Sequence, residues 1–330
     1  MERKKIILDV DTGTDDAVAI AVAALSEKLE VLGITVTHGN QPLCYTLENT
    51  LRMVEFLKLN IPVYAGCNEP MVQYLTAGRL LNVRRQTIEK VINGETVSIH
   101  QKYLDLPKAS IQAEAKHACS FLVETLKHTT EKITIVAVGP LTNIAMALRM
   151  DPSICKGIEE IVIMGGAIAH GNRTPVAEAN FYDDPEAAQI VLKSGCKIRL
   201  FTLDATESVL CGHEEAEEFR KTSYVGQFVG DLTEEFVRKC TLLNICDCGK
   251  VSIHDAVTVC AVIDPSIVTD LRHQFCDVDF SGGFSDGQLV VDTRMFAKPA
   301  DPVYVAYKVD RDRCLELMLH SLKHAETEAD

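Results

Sequence analysis

An α/β architecture, a mostly parallel Rossmann-like sheet with helices on both faces, is predicted by three features of this 330-residue chain. Short β-branched runs alternate with stretches of helical spacing, turn residues close the runs, and four aspartates crowd the first such turn. Alternation of this kind lays parallel strands side by side and sends the connecting helices across both faces, so ligands collect at the carboxyl ends of the strands. No internal repeat, low-complexity tract or linker divides the chain, and α/β units often reach this length as one. A single domain over residues 1–330 is therefore expected.

Lys5–Val10 reads as the first strand and Asp15–Glu27 as the helix it feeds. Val31–Thr37 is the second strand. Tyr45–Leu59 follows as a helix, with Leu47, Leu51, Val54 and Leu57 three or four residues apart. From 71 to 110 the rhythm breaks at Gly78, Gly94 and Pro107 in a polar segment, which reads as an elaborated loop or small subdomain. The pattern resumes with helix Ala113–His128, strand Ile133–Val138, helix Leu141–Met150, strand Ile161–Met164, helix Pro185–Lys193 and strand Ile198–Leu203.

Charge narrows the partners. With 33 basic and 47 acidic side chains the net charge is −14, a field that attracts neither nucleic acid nor an anionic membrane surface. The tight basic clusters, Arg3-Lys4-Lys5 and Arg84-Arg85, lack the aromatic interleaving of a single-strand binder. The longest apolar stretches, Ala17–Leu25 and Ile161–Ala169, are about half of what a transmembrane helix needs. Ile6-Ile7-Leu8 runs straight into Asp9, so no signal-peptide core forms, and a cytoplasmic location is expected. The twelve cysteines are scattered singly through apolar segments, as buried reduced thiols are, and Cys240, Cys246 and Cys248 lack the CxxC pair of a zinc site.

The chemistry concentrates where the first strand turns into the first helix. Asp9 and Asp11 lie two apart and share a strand face, while Asp15 and Asp16 fall in the first helical turn, where the helix dipole favours negative charge. Helix capping, with Thr14 as N-cap, accounts for Asp15 and Asp16 and leaves Asp9 and Asp11 unexplained. Carboxylates pressed this close repel one another unless a cation neutralises them, so a hard divalent metal is their natural companion. Other strand ends supply Thr37-His38-Gly39-Asn40, Val138-Gly139-Pro140-Leu141-Thr142-Asn143 and Met164-Gly165-Gly166. Read singly, these are ordinary turn and core residues. Glu178-Ala179-Asn180 precedes a helix starting near Asp184-Pro185, and His254-Asp255, leading into an apolar helix, reads by itself as an N-cap.

In this order the motifs closely resemble the nucleoside hydrolases, the inosine–uridine-preferring family that cleaves the N-glycosidic bond of ribonucleosides. The resemblance covers nearly the whole chain. It runs from Asp9-Val10-Asp11-Thr12-Gly13-Thr14-Asp15-Asp16-Ala17, through Gly139-Pro140-Leu141-Thr142-Asn143-Ile144-Ala145 and Asp183-Asp184-Pro185-Glu186-Ala187-Ala188, to His254-Asp255. It implies a calcium ion (Ca2+) held by Asp11, Asp16, Asp255 and the main-chain carbonyl of Val138, a position where the family usually has threonine. Asp9 would support these ligands. Asp15, Asn40, Glu178 and Asn180 match residues that bind the ribose hydroxyls, together with Asp255 through the cation, and Met164 matches one lining the sugar pocket. Asp11 would be the general base, His254 the leaving-group acid and Asn40 their neighbour in the catalytic group. A homodimer or homotetramer and a role in nucleoside salvage are implied as well.

These residue types suit the reaction. Breaking the C1′–N bond builds positive charge on the ribose ring, which nearby carboxylates stabilise. Calcium acidifies water less than zinc does, so a carboxylate must take the proton, and an imidazole can protonate the departing base. Many family members carry a glycine-rich loop with a histidine, whereas here the matching stretch, His100-Gln101-Lys102-Tyr103-Leu104-Asp105-Leu106, lacks the glycines and follows an apparent insertion around Leu81–Val97. Whether His100 contacts substrate, and whether 81–106 closes as a lid, is left open, as is the choice between purine and pyrimidine. Two alternatives stand beside this reading. An Asp-x-Asp strand end also occurs in haloacid-dehalogenase-like phosphohydrolases, which would place threonine where this chain has Gly13, and a non-catalytic nucleoside-binding relative could share the cation site.

Overall fold

The computed structural model describes residues 3–72, 75, 79, 89–92, 94–246, 248–294, 296, 297 and 299–325. In chain order the strands are β1 (Lys4–Val10), β2 (Leu29–Val36), β3 (Val63–Ala65), β4 (Glu89–Ile92), β5 (Glu95–Ser98), β6 (Ile133–Ala137), β7 (Ile158–Met164), β8 (Ile198–Phe201), β9 (Leu210–Cys211), β10 (Val251–Ser252), β11 (Val268–His273), β12 (Phe275–Val278), β13 (Leu289–Asp292) and β14 (Val303–Val309). The helices are α1 (Thr14–Leu25), α2 (Leu43–Phe56), α3 (Ala118–His128), α4 (Thr142–Met150), α5 (Ala179–Asp183), α6 (Pro185–Leu192), α7 (Leu203–Thr206), α8 (His213–Arg220), α9 (Tyr224–Leu242), α10 (His254–Ile263) and α11 (Arg311–Leu322).

Eight strands form the main sheet in the order β11-β14-β8-β7-β6-β1-β2-β3. Every neighbouring pair is parallel except β11 with β14 at the edge. From β1 the chain first builds outward to β2 and β3, then crosses to β6 on the other side, so the order reverses between β1 and β6. A crevice opens at such a reversal, above the carboxyl ends of the two strands.

The period of two along β1 divides the interior into two layers. Ile6, Leu8 and Val10 join the core beneath α1, α10 and α11, whereas Ile7 joins the opposite core with Phe121, Ile144 and Ala188 from α3, α4 and α6. Burial on both faces explains why β1 and β6 read as continuous apolar runs. Helix α1 is buried almost all round and packs against α10 and α11, which its run of small alanines permits.

The expected elements are present with shifted ends. Helix α3 starts at Ala118 rather than Ala113 because the His117 imidazole Nδ1 accepts the Cys119 N–H at 3.2 Å and caps it there, while Glu114 bridges to Tyr64. Thr14 is not the cap of α1. Gly13 holds that position, and its N–H donates to Asp16 Oδ2 at 2.9 Å, so an aspartate of the first turn satisfies the helix end. His254-Asp255 is not a cap either: Ile253 precedes α10, and both residues lie inside its first turn. Between 71 and 110, β4 and β5 pair as an antiparallel hairpin, and the chain from 100 to 110 crosses α2, where the Arg52 guanidinium donates to the carbonyls of Leu104 and Leu106 at 3.0 and 2.9 Å. Gly78, the Arg84-Arg85 pair and part of the apparent insertion, 81–88 and 93, lie outside the described residues.

Candidate active site

The residues that follow β1, β2, β6, β7 and β8 meet over the crevice, around a cavity of about 570 Å³. Asp15, Asn40, His100, Val138, Met164, Glu178, Asn180, His254 and Asp255 all line it, and Asp11 and Asp16 lie buried beneath. Residues up to about 240 apart in the chain thus converge, because parallel order brings strand ends together that sequence keeps apart.

Asp16 is the pivot of the β1–α1 turn. Its Oδ1 accepts the Asp11 N–H at 3.0 Å, and its Oδ2 accepts both the Gly13 N–H and the Asn40 side-chain amide, at 2.9 and 3.0 Å. Asp11 Oδ2 accepts the Asn40 N–H at 2.5 Å, whereas Asp11 Oδ1 is buried without a hydrogen-bond partner. Close approach demands glycine here. A Cβ on Gly39, whose φ is +156°, would overlap the Asp11 carboxylate, and one on Gly13 would sit 2.5 Å from His100 Nδ1.

Asp9 supports from behind: its Oδ1 accepts the Thr35 hydroxyl at 2.5 Å and the Asn143 amide at 2.9 Å. Asn143 Oδ1 in turn accepts the Cys67 N–H, so the Gly-Pro-Leu-Thr-Asn motif braces β1 against β3. Across the crevice, Glu178 accepts from three backbone N–H groups, those of Gly166, Asn180 and Phe181, at 2.9, 2.8 and 3.2 Å. The Asn180 amide donates to Val138 O at 2.8 Å and lies 3.6 Å from Met164 Sδ.

Oxygens of Asp15, Asp16 and Asp255 lie within 4.8 Å of one another. Packing five carboxyl groups into one dry pocket has an electrostatic consequence. Burial foremost, then mutual repulsion, pushes Asp11 and Asp255 well above the ordinary aspartate range and Asp15 up to about 7, and burial raises Glu178 to about 7. Asp16 is also raised, chiefly by burial, although the Gly13 and Asp11 N–H groups oppose the shift. An orphaned buried oxygen beside an all-oxygen donor set fits a hard cation such as calcium or magnesium and does not suit a thiophilic one.

Two imidazoles complete the cavity. Burial lowers both His100 and His254 to about 4, so both are neutral at pH 7. His254 Nδ1 lies 2.7 Å from the Thr206 hydroxyl, and His100 Nδ1 accepts the Thr14 N–H at 3.4 Å. His100 is thus in the site despite the missing glycines, its carbonyl held by Gln41 Nε2 at 2.9 Å.

Several contributors went unread in the sequence. Asn49 ties the Thr12 carbonyl to Lys102 and Leu104, which fastens the His100 segment to the aspartate turn. Thr206, on α7 directly after β8, carried a usable signal, since the carboxyl end of that strand also faces the crevice. Phe236 and Cys240, from the second half of α9, carried none, being indistinguishable from core positions.

Buried carboxylates on one side of the cavity and two imidazoles on the other, at the strand ends of a parallel sheet, are the side-chain types with which enzymes hydrolyse glycosidic bonds. The chain belongs to the inosine-uridine preferring nucleoside hydrolases, whose family model matches residues 6–316. It is 37% identical over 314 residues to the pyrimidine-specific ribonucleoside hydrolase RihB of Escherichia coli (strain SE11), covering 94% of this chain and 95% of that protein. Among solved structures it is similar to a purine-preferring ribonucleoside hydrolase from Gardnerella vaginalis, at 29% identity and a TM-score of 0.82, covering 97% of this chain and 98% of that one. A plant nucleoside hydrolase, PpNRh1, gives the same identity and TM-score over 98% and 99% of the two chains. The chain is a nucleoside hydrolase, and this membership sets aside the haloacid-dehalogenase-like alternative. Among the described residues no helix is long and apolar enough to cross a membrane.

Proposed function

We propose that this chain is a calcium-dependent ribonucleoside hydrolase that releases ribose and a free base, with Asp11 as general base and His254 as leaving-group acid. The observation that carries this reading is the buried, unpartnered Asp11 Oδ1 beside the converging carboxylates of Asp15, Asp16 and Asp255. Asp11, Asp16, Asp255 and the Val138 carbonyl would hold the cation. When bound, calcium supplies the positive charge that orients water and the ribose hydroxyls and makes that water easier to deprotonate.

The remaining work falls to side chains. Because Asp11 Oδ2 is engaged by Asn40, Oδ1 is the oxygen available to take the proton as water attacks C1′. Asp15, Asn40, Glu178 and Asn180 receive the ribose hydroxyls, and the three backbone donors on Glu178 hold its carboxylate in one orientation. As the C1′–N bond lengthens, these buried carboxylates stabilise the positive charge that grows on the ring, and Met164 packs against the sugar.

His254 protonates the departing base. The Thr206 hydroxyl lies 2.7 Å from His254 Nδ1 but 3.3 and 3.4 Å from the Thr202 and Leu203 carbonyls, so its proton is assigned to the shorter bond. In the resting neutral ring the proton then sits on Nε2. The acid itself is the imidazolium form, scarce at pH 7 because burial lowers the ring to about 4 but a stronger acid for the same reason. It turns Nδ1–H to Thr206 Oγ, passes its Nε2 proton to the base nitrogen and is left as the neutral ring. His100, with Nδ1 engaged as an acceptor, offers its own Nε2–H to the same ligand. The eight-stranded main sheet, which takes in both β1 and β14, supports one nucleoside hydrolase domain over the chain, and a homodimer or homotetramer belongs to the same reading.

The test is a reducing-sugar assay for ribose from inosine, adenosine, guanosine, uridine and cytidine, with and without strong chelation and calcium add-back. The panel spans both base classes because the named relatives include a pyrimidine-specific and a purine-preferring enzyme. Release that chelation abolishes and calcium restores is the expected result. Release unchanged by chelation overturns the calcium dependence, and no release from any nucleoside overturns the assignment of reaction.

A further inference from the structure

A second group of metal-ligating side chains lies away from the cavity. His320 lies in the last turn of α11 and His324, four residues on, in the turn that follows it, while Glu27 stands in the turn after α1. Ligand atoms of the three lie within 4.8 Å of one another. Four-residue spacing puts both imidazoles on one side of a helix, the arrangement by which helical histidine pairs hold zinc. Beyond Leu322 the chain keeps turning, with the Lys323 N–H donating to His320 O and the His324 N–H to Ser321 O, at 3.3 and 3.1 Å. This turn carries the His324 ring back over His320.

Nitrogen spacing gives the pair a distance that one metal ion can bridge. The two Nε2 atoms face each other at 3.4 Å, with the ring planes at 83°. A tetrahedral ion bonded to nitrogen at about 2.0–2.1 Å spaces its ligands by about 3.3 Å, so the pair already spans one edge of such a polyhedron. Glu27 Oε1 lies 3.7 Å from His324 Nδ1 on a side chain that is 65% exposed, so its carboxylate is free to swing to a third vertex, with water at the fourth.

We propose that Glu27, His320 and His324 form a second metal site that takes a borderline-soft divalent cation, Zn2+, and fastens the end of the C-terminal helix to the turn after α1. Two imidazoles and one carboxylate suit zinc, whereas calcium and magnesium demand mostly oxygen. This site is chemically distinct from the aspartate cluster, and its existence does not depend on the catalytic roles assigned above.

Isothermal titration of the full chain with Zn2+, in excess calcium to occupy the aspartate cluster, tests the proposal. One zinc per chain is expected to bind. Affinity should fall about a hundredfold in His320→Ala and in His324→Ala and about tenfold in Glu27→Gln, with ribose release from nucleosides unchanged in all three. Cobalt bound at the same site should give a tetrahedral visible spectrum without the thiolate charge-transfer band that a cysteine site would add. No zinc binding to the unaltered chain overturns the proposal. So does zinc affinity unchanged in any of the three variants, or a thiolate band, since the ion would then sit at the aspartates or cysteines.

Discussion

The main-chain N–H of Asn40 donates to Asp11 Oδ2 at 2.5 Å, fixing one oxygen of a buried carboxylate while its other oxygen keeps no protein partner. The Asn40 side chain reaches Asp16 Oδ2 at 3.0 Å and the Asp11 carbonyl at 3.4 Å, so one residue from the end of β2 sets the posture of two aspartates after β1. A general base needs such restraint, because proton transfer depends on where the accepting oxygen stands.

Asp11→Asn should therefore keep the fold and lose at least about a thousandfold in turnover, read as ribose release alongside an unchanged circular dichroism spectrum. Activity within a few-fold of the parent protein would remove Asp11 from the role of base.

Gly39→Ala tests the same contact from the backbone. The added methyl meets the Asp11 carboxylate at a positive φ, so kcat should drop by about a hundredfold with a smaller change in KM. Near-normal kcat would mean that the Asn40 loop shifts without disturbing Asp11.

Replacing His254 by Ala should harm nucleosides, whose bases are poor leaving groups, far more than a p-nitrophenyl riboside, whose leaving group needs no proton. Thr206→Val should reproduce that pattern at smaller amplitude, because Thr206 acts through the ring it orients. Equal losses on both substrates would exclude an acid role.

Removing the cation should make stability depend on pH in a defined direction. Without it, burial holds Asp9, Asp15 and Glu178 at about 7, above the roughly 4 of an unfolded chain. Acids raised on folding contribute stability that is fully present below the unfolded value and is lost as pH rises through the folded one. The chelated protein should thus melt increasingly below the calcium-loaded form between about pH 4 and pH 7. A gap in melting temperature that stays constant over this range would contradict the charge excess argued for the cluster.

Away from the site, Arg199 on β8 makes a two-point ion pair with Glu160 on β7, at 2.6 and 3.0 Å, with both side chains buried. Arg199→Met leaves a buried carboxylate that keeps the ion pair with Lys197 at 3.1 Å but loses its two-point partner, and should cost about 3 kcal/mol in urea denaturation. Combining it with Glu160→Gln should recover part of that loss; no recovery would place the cost in packing instead.

What could be read from residue order was whatever neighbouring residues decide together. Apolar period marked β1, α2, β6 and α4 to within a few residues, and the crowding of Asp9, Asp11, Asp15 and Asp16 announced a charged turn, because strand, turn and first helical turn are contiguous there. The motif resemblance extended this to Asn40, Glu178, Asn180 and His254-Asp255, all of which do line the cavity. Local reading failed where a distant contact overrides a local preference: Asp16 displaced Thr14 as the group that satisfies the start of α1, and His254-Asp255 moved inside α10. Tertiary structure alone decided that Asp11 keeps one free oxygen, that Asn180 turns to Val138, that Thr206 meets His254, and that Glu27 stands beside His320 of α11 and His324 just past its end. The reason is geometric. Periodicity constrains which face a side chain occupies, but the distance between atoms on separate elements depends on strand order and helix packing, and a hydrogen bond or a metal site is lost within an ångström of its proper spacing.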